Sequence, residues 1–196
     1  MKVALIGEIG SGKTTISDGL VGLRGGTRLS FAAGLRSELS EALAVVDARR
    51  LSPYTNLYEI DIRATHNEAM TDVATKDVYR SLLQAWGNYR RNQDIDYWVQ
   101  ALEFRIKGLE AISNPVIAVD DCRMPNEYEM LRKHGFTFIK LEPGDFTREL
   151  EPSQQVHESE AYWRDFEVDH VLDYQKGPLG QAVRILELLE GVNLGG

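Results

Sequence analysis

The sequence predicts an α/β chain, three layers deep (α/β/α), around a mostly parallel central sheet. Three observations carry this expectation. Lys2-Val3-Ala4-Leu5-Ile6 is an apolar run of strand length that ends where the glycine-rich stretch Gly7 to Thr14 begins, and a helical pattern follows at once. Val116-Ile117-Ala118-Val119 is an uninterrupted apolar run, the mark of a central parallel strand buried on both faces, and it ends in Asp120-Asp121. Strand-length runs and amphipathic stretches then alternate to the end of the chain, as they do when helices cover both faces of a parallel sheet. A helical insertion at about residues 35–110 and a short polar segment at about 143–157 complete one domain of 196 residues.

Gly7-Glu8-Ile9-Gly10-Ser11-Gly12-Lys13-Thr14 fits the pattern G-x-x-x-x-G-K-[ST] at every fixed position. Glycines let the backbone curl so that successive N–H groups converge on a polyphosphate, and the helix N-terminus behind them adds partial positive charge. Gly7, Ile9, Gly10, Ser11 and Gly12 are therefore candidate nucleotide-binding residues. Lys13 has the reach for the β- and γ-phosphates, the Thr14 hydroxyl suits Mg²⁺, and Thr15 suits the α-phosphate. A glycine-rich turn would match by chance somewhere in such a chain with odds of roughly one in a hundred. The expected ligands are ATP and Mg²⁺.

Composition narrows the class. With 43% hydrophobic residues the chain can bury one sizeable core. Cys122 is the single cysteine, so no internal disulfide forms and a reducing compartment is expected. Neither a signal peptide nor a membrane span is evident, which makes the expected location cytoplasmic. The net charge of -8, from 30 acidic and 22 basic residues, disfavours a long DNA footprint while leaving a local groove open. Small-molecule nucleotides are the expected partners, with no membrane partner.

In chain order, Thr14 to Val21 reads as a helix with Ile16 and Leu20 facing inward, broken by Gly25-Gly26. Arg28 to Ala32 reads as a second strand, and Leu35, Leu39 and Leu43 then share one helix face. Arg36 lies one turn into that helix, just past a strand end, where an α/β sheet meets its anions. Residues 47–76 carry no clear period, although Tyr58 to Ile62 suits an extended segment. From Thr75 a helical pattern runs through Leu82, Leu83 and Trp86, with Gly87 expected to stop it. Arg90-Arg91 follow, and a second helix is expected from about Asp94 to Gly108. Trp86 and Trp98 fit a core role, and the two arginines fit either a phosphate lip or a solvated turn.

At the tip of the strand 116–119, an acidic residue beside a phosphate loop holds the Mg²⁺ shell, directly or through water; Asp121 is the candidate. Pro125 opens a helix that Gly135 ends, and Phe136 to Leu141 is another strand. The polar segment containing Arg148 comes next, then His157-Glu158-Ser159-Glu160 at a helix start. Asp169 to Asp173 reads as a last strand and Leu179 to Leu189 as a last helix. Exposed faces at 95–109 and 179–189 suit a homodimer, and ordinary packing explains them equally well.

Taken together, the loop Gly7 to Thr14, Phe31-Ala32 with Arg36, Leu82-Leu83-Gln84 with Gly87, Tyr97-Trp98-Val99, Asp121-Cys122-Arg123-Met124-Pro125-Asn126-Glu127 and His157-Glu158-Ser159-Glu160 form an ordered series. It resembles the phage-type deoxynucleoside monophosphate kinases, a branch of the P-loop nucleoside monophosphate kinase fold, from residue 1 to about 175. The resemblance implies transfer of the ATP γ-phosphoryl group to a deoxynucleoside 5′-monophosphate. It makes residues 35–110 the substrate-side region and 143–157 a short lid. On the monophosphate side it implies Phe31, Arg36, Gln84, Gly87, Arg90, Arg91, Arg123, Asn126 and Glu127, with Trp98 stacking near the base. Lys13, Arg123, Asp121 and the lid arginine Arg148 would form the catalytic set. Asn88-Tyr89 after Gly87 departs from the family's usual Gly-Thr-acid, leaving the register of Arg90 and Arg91 open. Two rivals remain: a P-loop kinase acting on a hydroxymethylated pyrimidine base in a nucleotide or in DNA, and a triphosphate-hydrolysing switch. The absence of an Asn-Lys-x-Asp segment weakens a GTPase version of the latter.

Overall fold

The computed structural model describes residues 1–51, 62–72, 75–112, 116–142, 162–173 and 177–191. The expected lid, Arg148 and His157 lie outside the described residues, as does most of the extended segment expected at 58–62. The elements are β1 (Lys2–Gly7), α1 (Lys13–Arg24), β2 (Gly26–Leu29), α2 (Phe31–Leu51), α3 (Ile62–Thr71), α4 (Lys76–Gln93) and α5 (Tyr97–Ile112). Then come β3 (Val116–Val119), α6 (Pro125–Lys133), β4 (Thr137–Glu142), a 3-10 turn (Trp163–Asp165), β5 (His170–Asp173) and α7 (Pro178–Glu190).

The chain divides into two compact units, Met1–Ser30 with Leu102–Gly196, and Phe31–Ala101. In the first, the five strands lie in the order β2-β3-β1-β4-β5, every pairing parallel. Strand residues alternate faces, which splits β1 into two sets. Val3 and Leu5 pack with Ile16 and Leu20 of α1, Ile139 and Leu141 of β4, and Ala182, Ile185 and Leu186 of α7. Ala4 pairs with Phe138, whose ring lies 4.7 Å from that of Tyr128 on α6, so α6 covers the other face. Burial on both faces is why β1 and β3 read as unbroken apolar runs. The three-layer expectation holds.

The chain leaves β1 toward β2 and leaves β3 toward β4, on the opposite side of the sheet, so the loops after β1 and β3 diverge. Such a switch point opens a crevice beyond the carboxyl ends of the strands, where α/β folds bind ligands.

Among the described residues, the regular elements of the second unit are all helices. Two boundaries differ from expectation here. The second strand covers Gly26–Leu29, and Phe31 and Ala32 already belong to α2. Gly26 has φ 149° and sits where an added Cβ would come 2.1 Å from the Val116 carbonyl oxygen, so its lack of a side chain lets β2 pair. Gly87 does not stop a helix; α4 runs through it to Gln93. An added Cβ at Gly87 would meet Leu35 at 3.4 Å, so this glycine admits a close helix contact.

Candidate active site

In the loop between β1 and α1, Gly10 and Gly12 have φ of 83° and 76°, left-handed values that side-chain-bearing residues rarely adopt. Gly7 is needed for a different reason: a Cβ there would meet the Leu141 carbonyl oxygen of β4 at 2.8 Å. Ser11 is buried, while Gly10, Thr14 and Thr15 are exposed and Ile9 half-buried. The Lys13 ammonium folds back over the loop and donates to the carbonyl oxygens of Gly7 (2.9 Å) and Glu8 (2.5 Å) and to Ser11 Oγ (3.2 Å). A cation held by backbone carbonyls can exchange them for phosphate oxygens without leaving the loop, because both are charge-assisted acceptors.

At the tip of β3 the two aspartates separate. Asp120 is 5% exposed, and Arg28 Nη1 lies 3.5 Å from its Oδ2. Asp121 accepts from Ser30 Oγ at 2.7 Å. The residue singled out from sequence was Asp121; its neighbour Asp120 is the more deeply buried of the two. Burial pushes the Asp120 carboxyl above its ordinary pKa and the charge of Asp121 adds to this, while Thr14, Arg28 and Lys13 pull it down. A cation arriving at this corner would relieve the repulsion between the two carboxylates.

Among the described residues no cluster of three or more His, Cys, Asp or Glu side chains is arranged to hold a metal ion.

The Asp121 to Glu127 segment is explained first by local structure. Pro125 occupies the first turn of α6 and Glu127, 4% exposed, turns its carboxylate back to the N–H groups of Arg123 (2.8 Å) and Met124 (3.0 Å). This is the capping geometry that satisfies orphan amides at a helix start. Glu127 therefore fixes the backbone of Arg123 through its carboxylate. Asn126 Oδ1 accepts from the Glu127 amide at 3.1 Å. Burial pushes the Cys122 thiol well up, aided by Glu127 and Asp121, so it is no nucleophile near neutral pH.

The helical unit uses several predicted substrate residues for its own packing. Trp98 is 4% exposed and donates its indole N–H to the Gly87 carbonyl at 3.3 Å, as the core role read from the sequence requires. Arg90 pairs with Glu38, its Nε donating at 2.5 Å, and lies over the rings of Trp86, Tyr89 and Tyr97 at 5.7, 5.9 and 4.9 Å. Glu38 also accepts from Trp86 Nε1 at 3.2 Å and Tyr97 OH at 2.8 Å. Arg90 is thus the hub of an aromatic cluster. Arg91 contacts Asn88 Oδ1 at 3.4 Å, Phe31 is buried, Arg36 is half-buried and Gln84 is exposed.

Sequence reasoning missed two cations of the first unit. Arg164, over the Trp163 ring at 4.8 Å, brings its guanidinium within 3.7 Å of the Glu8 carboxylate in the phosphate loop. No motif surrounds it, so no pattern could have flagged it. Arg28 reaches Asp120, and only the strand register reveals that.

No helix among the described residues is long and apolar enough to cross a membrane. No family model and no curated protein matches the chain. Among solved structures, the chain is similar to an unliganded sugar kinase from a Janibacter species, at 16% identity over 96% of this chain and 94% of that one, with a TM-score of 0.51. A shikimate kinase from Acinetobacter baumannii, in complex with shikimate, aligns over 98% of this chain and 94% of that one at 13% identity, with a TM-score of 0.45. The likeness to the sugar kinase is one of fold.

Proposed function

We propose that the chain is an ATP-dependent kinase that transfers the γ-phosphoryl group to a deoxynucleoside 5′-monophosphate, giving the diphosphate. The observation that carries the donor half is Lys13, folded over a loop of left-handed glycines, with the buried Asp120 at the tip of the adjacent strand β3. The acceptor half rests on the ordered motif series, in which Arg36, Gln84, Arg91, Arg123 and Asn126 are assigned to the substrate side.

The chemistry asks the protein for position and charge. Phosphoryl transfer passes through a loose, in-line transition state with charge spread over the equatorial oxygens, so fixed cations lower the barrier without a general base. Lys13 would trade the Gly7 and Glu8 carbonyls for β- and γ-phosphate oxygens. Thr14 and Asp120, with Asp121 beside them, would hold Mg²⁺, which neutralises charge on the bridged phosphates. Arg123, its backbone fixed by Glu127, would face the acceptor phosphate, where a planar fork binds oxygens in pairs. Arg148 would close over the transferring group, so Arg148→Ala should lower turnover more than it weakens ATP binding.

The test is ADP release from Mg·ATP with a panel of deoxy- and ribonucleoside monophosphates, 5-hydroxymethyl pyrimidine nucleotides and a matching modified duplex. Fast release that depends on particular deoxynucleoside monophosphates supports the reading and names the base. Release only with modified DNA moves the acceptor to the polymer. Hydrolysis that ignores every acceptor overturns the kinase in favour of a nucleotide switch.

A further inference from the structure

We propose that Arg28 is a positioning residue for the Mg·triphosphate corner, a brace from Asp18 of α1 to Asp120 just beyond β3 that holds the Asp120 carboxylate in place. The inference rests on the proposed nucleotide site and adds a residue that no loop or strand-tip motif contains.

The strand register makes the contact possible. Arg28 pairs with Ala118, which pairs with Val3, and partners across a parallel sheet point to the same face. Val3 belongs to the cluster built on α1, so Arg28 lies on the α1 side of the sheet. Asp120, two residues beyond Ala118, returns to that same face. The methyl side chain of Ala118 leaves the long arginine a path toward it, and Arg28 Nη1 comes 3.5 Å from Asp120 Oδ2. Its Nε donates to Asp18 Oδ1 at 2.7 Å.

Asp18 is four residues beyond Thr14, one turn along the same helix face. Side chains therefore form a circuit from Asp120 to Arg28 and from Arg28 to Asp18, on the helix α1 that carries Thr14 one turn earlier. Such a circuit fixes the rotation of the α1 N-terminus against the tip of β3, and that rotation decides whether the Thr14 hydroxyl and the Asp120 carboxylate can serve one ion. The side chain of Asp120 is 3% exposed, against 32% for Arg28 and 58% for Asp18. A buried carboxylate is an inefficient way to gain stability, because desolvation offsets most of the attraction. Its retention with an arginine behind it fits a ligand that must be held still, as groups behind metal ligands commonly are.

The test is Mn²⁺ binding to the protein·ATP complex, followed by electron paramagnetic resonance, beside kcat, acceptor KM and Tm, in wild type, Arg28→Ala, Arg28→Lys and Asp18→Ala. Expected for Arg28→Ala is a loss of Mn²⁺ affinity of about 10–100-fold with a parallel fall in kcat, and acceptor KM within about twofold. Arg28→Lys should recover part of this, since it restores charge without the two-ended fork. Asp18→Ala, an exposed change that leaves the fold intact, should shift Mn²⁺ affinity several-fold in the same direction and keeps the test valid if Arg28→Ala folds poorly. Unchanged Mn²⁺ affinity in both alanine variants, with only Tm lowered, would make Arg28 an ordinary structural tie and overturn the inference. Wild type that binds no Mn²⁺·ATP would instead remove the underlying reading, a separable outcome.

Discussion

The two compact units of this chain spend their charged residues differently. In the first, charged and hydroxyl groups converge beyond the ends of β1 and β3, with Lys13 on loop carbonyls, Asp120 on Arg28, and Asp121 on Ser30. In the second, Glu38 collects Arg90, Tyr97 and Trp86, and the Trp98 indole is spent on Gly87. Parallel strands end abruptly, and the loops beyond their carboxyl ends are left to bind ligands. Packed helices offer each polar side chain a partner on the next helix, and a candidate substrate residue is easily consumed there. Charge at a strand tip is therefore a stronger functional signal than charge on a helix.

Lys13→Ala should break the first half of this contrast most severely. Turnover should fall on the order of 10³-fold while Tm stays near wild type, since the lost group stabilises a charge that exists only during transfer. Steady-state rates beside a thermal melt check this. Trp98→Ala should do the reverse, costing about 3–5 kcal/mol of stability by denaturant titration, as deleting a buried indole does. Trp98→Phe should hold acceptor KM within about twofold; a large KM rise there would return Trp98 to the substrate. Arg36→Ala should raise acceptor KM about tenfold and leave ATP affinity alone, the cost of one charge-assisted bond. Equal losses for both nucleotides would erase the division of labour between the units.

The smallest effect concerns stability at acid pH. Hydrogen bonding to His134, and then to Lys107, lowers the Glu103 pKa from 4.5 to about 2. A lowered carboxylate pKa stabilises the fold above the unfolded value of 4.5, and that contribution is lost as pH falls through about 2. Tm measured from pH 5 to 2 should fall more steeply in wild type than in Glu103→Gln.

Much of the first unit was legible because its signals are local. The glycine loop needs fixed residues at fixed spacing, and strands buried on both faces need continuous apolar runs, so β1, the loop and β3 stand where the sequence puts them. The rest depends on contacts across sequence. Gly87 reads as a helix stop, yet Leu35, far off in the chain, makes it a packing glycine inside α4. Glu127 reads as a motif residue, and its work is to cap α6. Asp120 and Asp121 are indistinguishable as letters, and only register and burial separate them. Arg28 and Arg164 carry no motif, because their partners, Asp120 and Glu8, are supplied by the fold.

The claim on which everything else depends is that Lys13, Thr14 and Asp120 form one metal-assisted triphosphate site. Its most direct test is a calorimetric titration of ATP, with and without Mg²⁺, into wild type, Asp120→Asn and Asp121→Asn. The prediction is that Mg²⁺ tightens ATP binding in wild type, that Asp120→Asn loses this gain while keeping its Mg²⁺-free affinity, and that Asp121→Asn loses less of it. Equal Mg²⁺ dependence in wild type and Asp120→Asn would contradict the account.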